Sequence, residues 1–335
     1  MYSISKPSSL LFKLFLLFFL LLFLNNTNIY AKIIKKDTKK IVYLVSDINI
    51  PFWEILSKGI KTKALEKGYE ISILTANNLK KEEIQNTISA IKSKVDGIIL
   101  SPINSSTAVT VLRFSKNANI PIIIADIGAD RGDYLSFISS NNYQGAYEIG
   151  KVLTQKMIEL QANKKGTVGI IAIPQQRANG KARTEGFLTA LNESNIKMAG
   201  ILQQSTFKYQ ETYDYTLELI NKNPNLKAIW LQTSNNYQAA LDAIKYSKKS
   251  KEILLVSFDA EPEFLKLIPE GTILSAAMQQ PFLMGEKAVE TLDGFFHNKK
   301  VQKEQELQIL AISENNIKEK LPLIKKNVLG ILNEK

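Results

Sequence analysis

Four short apolar runs, Ile41–Val45, Ile71–Leu74, Gly97–Leu100 and Ile120–Ala125, alternate with helix-patterned segments, and no other feature of this chain narrows its fold so far. Ile41–Val45 is continuous rather than alternating, as a strand buried on both faces of a sheet requires. Between the runs lie Phe52–Lys67, which stops at Gly68, Lys80–Lys94 with Ile84, Ile88 and Ile91 at helical spacing, and Ser106–Asn119. Strands joined through helices pair in parallel, with right-handed crossovers. The pattern then restarts. Leu135–Ile138, Thr167–Ile173, Met198–Leu202, Ala228–Leu231 and Ile253–Phe258 read as strands, with helical segments between them. Ile273–Met278, a helix over Phe282–Phe296 and a single strand over Leu307–Ile312 follow. Residues 313–335 read as a Lys- and Leu-bearing helix interrupted by Pro322. The predicted fold class is α/β, two similar doubly wound parallel-sheet lobes in one chain, with a crossing near Ser139–Asn142.

Residues 1–31 stand apart from this pattern. They hold Lys6 and Lys13, no acidic residue, and the unbroken apolar run Leu14–Leu24. Such a run is too short to span a bilayer comfortably but suits the core of a signal peptide, with Ala31 before a plausible cut. Ile29 at the third position before that cut makes the signal imperfect, so an uncleaved anchor stays open. The expectation is an exported protein of the periplasm. The chain has no cysteine, which excludes a lipid-modified cysteine, disulfides and thiol chemistry. Its formal charge of +11 invites a nucleic-acid partner. Export argues against one, and lysines such as Lys58, Lys61, Lys63 and Lys67 are scattered among glutamates rather than gathered in a stripe.

Catalysis has little to stand on. The one histidine, His297, sits in a polar helix end, and with no cysteine the usual transition-metal spacings cannot be built. There is no Gly-x-Ser-x-Gly elbow, no phosphate loop, and no Gly-x-Gly-x-x-Gly after the first strand. No enzyme and no cofactor are expected. What repeats instead is a polar or aromatic residue at the carboxyl ends of strands: Ser46 with Asp47, Asp126, Phe207, Thr233, Asp259 and Gln279. In open α/β sheets ligands bind at those ends. Phe52 and Trp53 add two large rings in the first turn of the first helix, a flat apolar face beside hydrogen-bonding edges. Each aspartate alone could merely cap a turn; one in the same place in each of two sister lobes points to binding, since a carboxylate accepts both hydrogen bonds of a vicinal diol.

The segments PFWEILSKGIKTKALEKGYE (51–70), VDGIILSP (95–102), IPIIIADIG (120–128), ISSNNYQGAYEIGKVL (138–153), KARTEGFLTAL (181–191), VSFDAEP (256–262) and QQPFLMGEKAVETL (279–292) resemble the periplasmic sugar-binding proteins of the ribose-binding class. That class shares its fold with the ligand domains of lactose-repressor-type regulators. The resemblance covers Ile41 to Ile312 and implies two lobes joined by three crossing strands, closing like a hinge over one ligand. It divides the chain into a leader (1–31), an N-terminal lobe (38–140 with 281–305), a C-terminal lobe (141–280 with 306–313) and a helical extension (314–335). It also implies a sugar-like ligand and a membrane partner, either a permease or a sensor kinase. A transcription regulator would need a helix-turn-helix before Ile41, where the apolar leader lies. Carried over residue by residue, it assigns a hydroxyl to Ser46, an aromatic wall to Phe52 and Trp53, acceptors to Asp126 and Asp259, a stacking ring to Phe207 and a hinge-side bond to Gln279. Thr233 stands where relatives have asparagine. Lys181 replaces an arginine ahead of the Glu-Gly-Phe segment, with Arg177 and Arg183 as rivals. Ile127 replaces an arginine and Ile50 a polar residue, departures that imply a ligand other than ribose, with one polar edge and one apolar face. The aspartates then hold a diol or a cationic group.

Overall fold

The computed structural model describes residues 38–332, so the predicted leader lies outside the described residues. The first sheet holds β1 (Lys40–Val45), β2 (Glu70–Thr75), β3 (Gly97–Ser101), β4 (Ile122–Ala125), β5 (Ser136–Ser140) and β11 (Glu304–Leu307), in the order β11-β5-β4-β3-β1-β2. The second holds β6 (Thr167–Ala172), β7 (Lys197–Gln203), β8 (Leu226–Leu231), β9 (Leu254–Phe258), β10 (Ser275–Met278) and β12 (Leu310–Ser313), in the order β12-β10-β9-β8-β6-β7. Both sheets thus reverse direction after their first strand, and the crevice at the carboxyl ends opens at that reversal. β3, β4 and β1 from Ile41 onward are buried, while the edge strand β2 is only partly covered, which is why Ile41–Val45, Gly97–Leu100 and Ile122–Ala125 read as unbroken apolar runs.

Helices cover both faces of each sheet. In the first lobe α1 (Pro51–Lys67) and α9 (Pro281–Phe296) pack together over Tyr43, Ile99 and Ile123, contributing Trp53, Leu56, Ile60, Met284 and Leu292. α2 (Lys80–Lys92) and α3 (Ser105–Asn117) cover the other face through Ala90, Val111 and Leu112. In the second lobe α4 (Asn142–Glu159) and α5 (Ala178–Glu193) enclose Phe187, stacked on Trp230 at 4.0 Å. α6 (Tyr209–Lys222), α7 (Tyr237–Tyr246) and the short α8 (Phe264–Leu267) close the opposite side. The two tight helix pairs meet at glycine. A Cβ on Gly59 would lie 2.1 Å from the Phe282 carbonyl oxygen, and one on Gly186 2.1 Å from that of Tyr143. Backbone cannot yield there, so Gly59→Ala is expected to force α1 from α9 and cost about 3 kcal/mol in urea unfolding, the upper end for overpacking. An unchanged midpoint would mean the pair has slack.

The chain passes between the lobes at three places. It leaves β5 for α4, leaves β10 for α9, and steps from β11 to β12. The single strand expected over Leu307–Ile312 is therefore two strands in two sheets: Leu307 pairs in parallel with Ser140, whereas Leu310 pairs antiparallel with Met278. Between them the Gln308 carbonyl accepts a hydrogen bond from Gln280 at 2.7 Å. Apolar periodicity cannot register a change of partner sheet. The C-terminal stretch is α10 (Ile317–Leu323), with Pro322 inside it, running into a π-helical turn over Ile324–Val328. Ile317, Ile324, Val328 and Leu329 are buried in the second lobe's core, and Asn327 donates to the Gln280 side chain at 2.9 Å, so this stretch reaches one of the crossings.

Candidate functional site

Asp126 follows β4 and Asp259 follows β9, each with a left-handed backbone, φ of 70° and 65°. Each backbone N–H still bonds to the neighbouring strand, Asp126 to Ile138 and Asp259 to Ala277, both at 2.9 Å. The chain then turns sharply and both carboxylates enter the space between the lobes. Aspartate tolerates this conformation better than most residues. Phe207 shares it with φ of 55°, a strained backbone for an aromatic residue. Its loop is held in place by the Glu211 carboxylate, which accepts the N–H groups of Ser205, Thr206 and Phe207 at 2.8–3.0 Å, while Asn236 donates to the Phe207 carbonyl.

The cleft so formed is narrow, with a free volume of about 40 Å³ between the lobes. Ile50, Phe52, Trp53 and Asp126 line it from the first lobe. Ile173, Arg177, Asn179, Arg183, Phe207, Thr233, Asn235 and Asp259 line it from the second, and Gln279 from the crossing after β10. Phe52 and Trp53 meet edge to face at 4.9 Å. Arg183 is 3% exposed and lies 3.8 Å over the Phe258 ring. It donates to Asn142 Oδ1 and to the Gln232 carbonyl, both at 2.8 Å, and its Nη1 is 3.7 Å from Asp259 Oδ2. Gln279 donates to Asp259 Oδ1 at 2.7 Å. Across the cleft Asn179 donates to Asp126 Oδ2 at 3.2 Å, and Arg177 Nε donates to the Ile103 carbonyl at 3.1 Å. Asp126 Oδ1 and Gln279 Oε1 are buried with no hydrogen-bond partner in the protein.

Burial dominates the electrostatics. It pushes the Asp126 carboxyl up to about 6, with Arg183 pulling down and Asp259 adding to the rise. Asp259 is raised by the same burial, against Arg183 and the Gln279 bond. Desolvation pulls Arg177 down to about 10 and lowers Arg183 as well. Two carboxylates and two guanidiniums leave the lining without net charge.

Of the residues read from the sequence, Phe52, Trp53, Asp126, Phe207, Thr233, Asp259 and Gln279 come together here. Ser46 does not line the cleft; it is buried beneath, its N–H on the Ser101 carbonyl. Asp47 accepts from Asn49 and Asn78 and shapes the entry to α1. Lys181 points away: its side chain is 71% exposed and faces Glu185 at 4.0 Å. On α5, residues 179 and 183 share one face, whereas 181 lies about half a turn round the helix. Arg183 therefore supplies the guanidinium that Lys181 was expected to replace. Ile127 is also displaced from the cleft, buried in the first lobe's core because the left-handed turn at Asp126 directs the chain inward. Only Ile50 presents an aliphatic chain where a polar group was expected. Ile173, Asn179 and Asn235 were not singled out; the i, i+4 relation of 179 to 183 was the available signal.

The sequence matches the profile of the periplasmic binding protein domain over residues 41–300. It is 27% identical over 283 residues to the ribose import binding protein RbsB of Escherichia coli, spanning 83% of this chain and 90% of that protein. The RbsB of Bacillus subtilis is likewise 27% identical, over 77% and 82% of the two chains. Among solved structures, a carbohydrate transporter solute binding protein from Agrobacterium radiobacter in complex with D-arabinose superposes with a TM-score of 0.80 at 20% identity, over 88% of this chain and all of that one. A periplasmic solute binding protein from Actinobacillus succinogenes with bound D-allose gives 0.77 at 20%, over 84% of this chain. With the two-lobed topology and the cleft at the strand ends, the match over most of its length places this chain in the periplasmic binding protein family.

Proposed function

We propose that this protein is an exported solute-binding protein that closes around a small neutral sugar or sugar-like polyol and presents it to a membrane permease. The observation that carries the ligand class is the charge pairing of the cleft: Asp259 faces Arg183, and Asp126 lies among Arg177, Arg183 and Asn179. A cationic solute would meet those guanidiniums, so the cationic alternative is set aside. Aromatic rings from both lobes and the partnerless acceptors Asp126 Oδ1 and Gln279 Oε1 suit a flat ring bearing hydroxyls. The relatives' names, ribose import binding proteins, support transport over sensing. The apolar leader supports export, with a mature chain beginning near Lys32. Binding without turnover is the activity proposed.

A thermal-shift screen of pentoses, hexoses, deoxysugars, amino sugars and amino acids tests this. A neutral sugar at about 100 times its Kd should stabilise the protein by about 2.7 kcal/mol. Stabilisation only by charged metabolites would sink the proposal. Titration by calorimetry adds a pH signature. A hydroxyl donates best to ionised Asp126, so affinity should fall between pH 7.5 and pH 5. The empty protein should behave in the opposite sense. Its Asp126 pKa is raised above the ordinary 3.8, so this group's contribution to stability is full below about pH 4 and is lost as pH rises through 6.

A further inference from the structure

Glu83 is a buried carboxylate on α2, outside the cleft and with no part in lining it. Its Oε1 accepts the backbone N–H of Ile103 at 2.8 Å, in the short loop between β3 and α3. The carbonyl of that same Ile103 receives Arg177 Nε from the second lobe at 3.1 Å. One residue along, Asn104 caps α3 by accepting from Ser106 and Thr107, and Ser105 Oγ receives the N–H of Ala178 from the second lobe at 3.5 Å. The loop is thus fixed within its own lobe by a carboxylate on one side and a helix cap on the other. It offers an oxygen to the opposite lobe at each end. We propose that Glu83 is a positioning residue for closure, holding the Ile103 peptide so that its carbonyl and Arg177 form a latch between the lobes that needs no solute.

The Glu83 carboxylate spends its bond on the Ile103 N–H. An ionisable group is costly to bury, and is kept where it satisfies a group that would otherwise be orphaned. Here that group is a loop N–H whose own residue carries the interlobe contact. A loop of this length without the anchor would sample other peptide orientations, and a carbonyl turned away leaves Arg177 buried without its acceptor. Arg177 also lies over Phe207, its guanidinium 5.5 Å from the ring centroid, so the latch sits against the cleft wall. Solute would then bind to a protein already partly closed, and its apparent affinity scales with the closed fraction. This inference rests on the proposed closure around a solute, but its test does not require one.

The chain has no cysteine, so two can be introduced for spin labels, Lys116→Cys in the first lobe and Lys222→Cys in the second, where the side chains are 66% and 72% exposed. Interlobe distances are then measured by pulsed electron resonance without sugar. The parent should show a closed population. Glu83→Leu, which fills the buried space without an acceptor and so keeps the lobe folded, should deplete it, as should Arg177→Ala. The double variant should be no more open than Arg177→Ala alone, because both changes break one latch. Glu83→Gln, which retains an accepting carbonyl, should restore the parent distribution. With D-ribose as the probe, the dissociation rate should rise about tenfold in Glu83→Leu, the worth of one such hydrogen bond. An open parent, an unchanged Glu83→Leu distribution, or additive effects in the double variant would each overturn the latch. Failure of D-ribose to bind, with the sugar-free distances as expected, would support the latch and count only against ribose as the solute; failure of every neutral sugar in the thermal-shift screen would count against the proposed ligand class.

Discussion

Arg183→Ala should abolish solute binding and cost about 3–5 kcal/mol of stability, the range for stripping one partner from a buried ion pair. The guanidinium serves four neighbours at once: the Asp259 carboxylate, the Asn142 side chain, the Gln232 carbonyl and the Phe258 ring. Alanine would orphan the two acceptors and leave Asp259 buried without its cation. Burial already raises Asp259, and losing Arg183 would raise it further. A carboxyl raised in the folded state favours folding at low pH and opposes it once pH exceeds its folded value. The damage should therefore grow from pH 5 to pH 8, measured by urea unfolding across that range. Arg183→Lys should recover only part of the loss, because an ammonium cannot reach divergent acceptors as a planar fork does. A pH-independent deficit under 1 kcal/mol would show that the pair holds nothing together.

Deleting residues 314–335 is expected to do more damage still. Ile317, Ile324, Val328 and Leu329 are buried with Phe264, Ile273 and Met278 in the second lobe. At about 1.5–3 kcal/mol per buried aliphatic side chain, their loss is on the order of 6–12 kcal/mol. That rivals the ~5–15 kcal/mol by which whole domains are stable. The shortened chain should lose its cooperative melt, and limited proteolysis should attack the second lobe first. Asn327→Ala provides the contrast. It removes only the hydrogen bond to Gln280 and should shift unfolding by about 1 kcal/mol. A truncated protein that melts cooperatively within a few degrees of the parent would refute this account of the C-terminal stretch.

Much of the architecture is legible in the amino-acid sequence. Ile41–Val45 and Ile122–Ala125 are unbroken apolar runs because they lie mid-sheet, and burial on both faces leaves no position for a polar residue. Asp126 and Asp259 were visible for the complementary reason: Asp126 is the first polar group after such a run, and Asp259 directly follows a strand interrupted only by Ser257, where a parallel sheet meets solvent. Phe52, Trp53 and Gln279 stand at the same kind of boundary. Strand and helix periods are local, and these residues are set by local position.

Everything that depends on a second segment needed the fold. Lys181 and Arg183 are two residues apart in the same basic stretch, yet α5 turns one to solvent and the other against Asp259, a choice made by packing on β8 and β9. Ile127 sits beside a cleft residue in sequence and in the core in space, because a left-handed turn intervenes. Gln308 and Ile309 divide what reads as one strand, since adjacent apolar residues carry no mark of which sheet will take them. The sequence by itself determined β1 to β10 and their parallel pairing, and it set an aspartate at the carboxyl end of one strand in each lobe, because apolar pattern is local; it did not show that Leu307–Ile312 splits between two sheets or that β12 runs antiparallel. Only the tertiary structure decided which cations neutralise those aspartates, because charge pairing depends on distances between segments far apart in the chain.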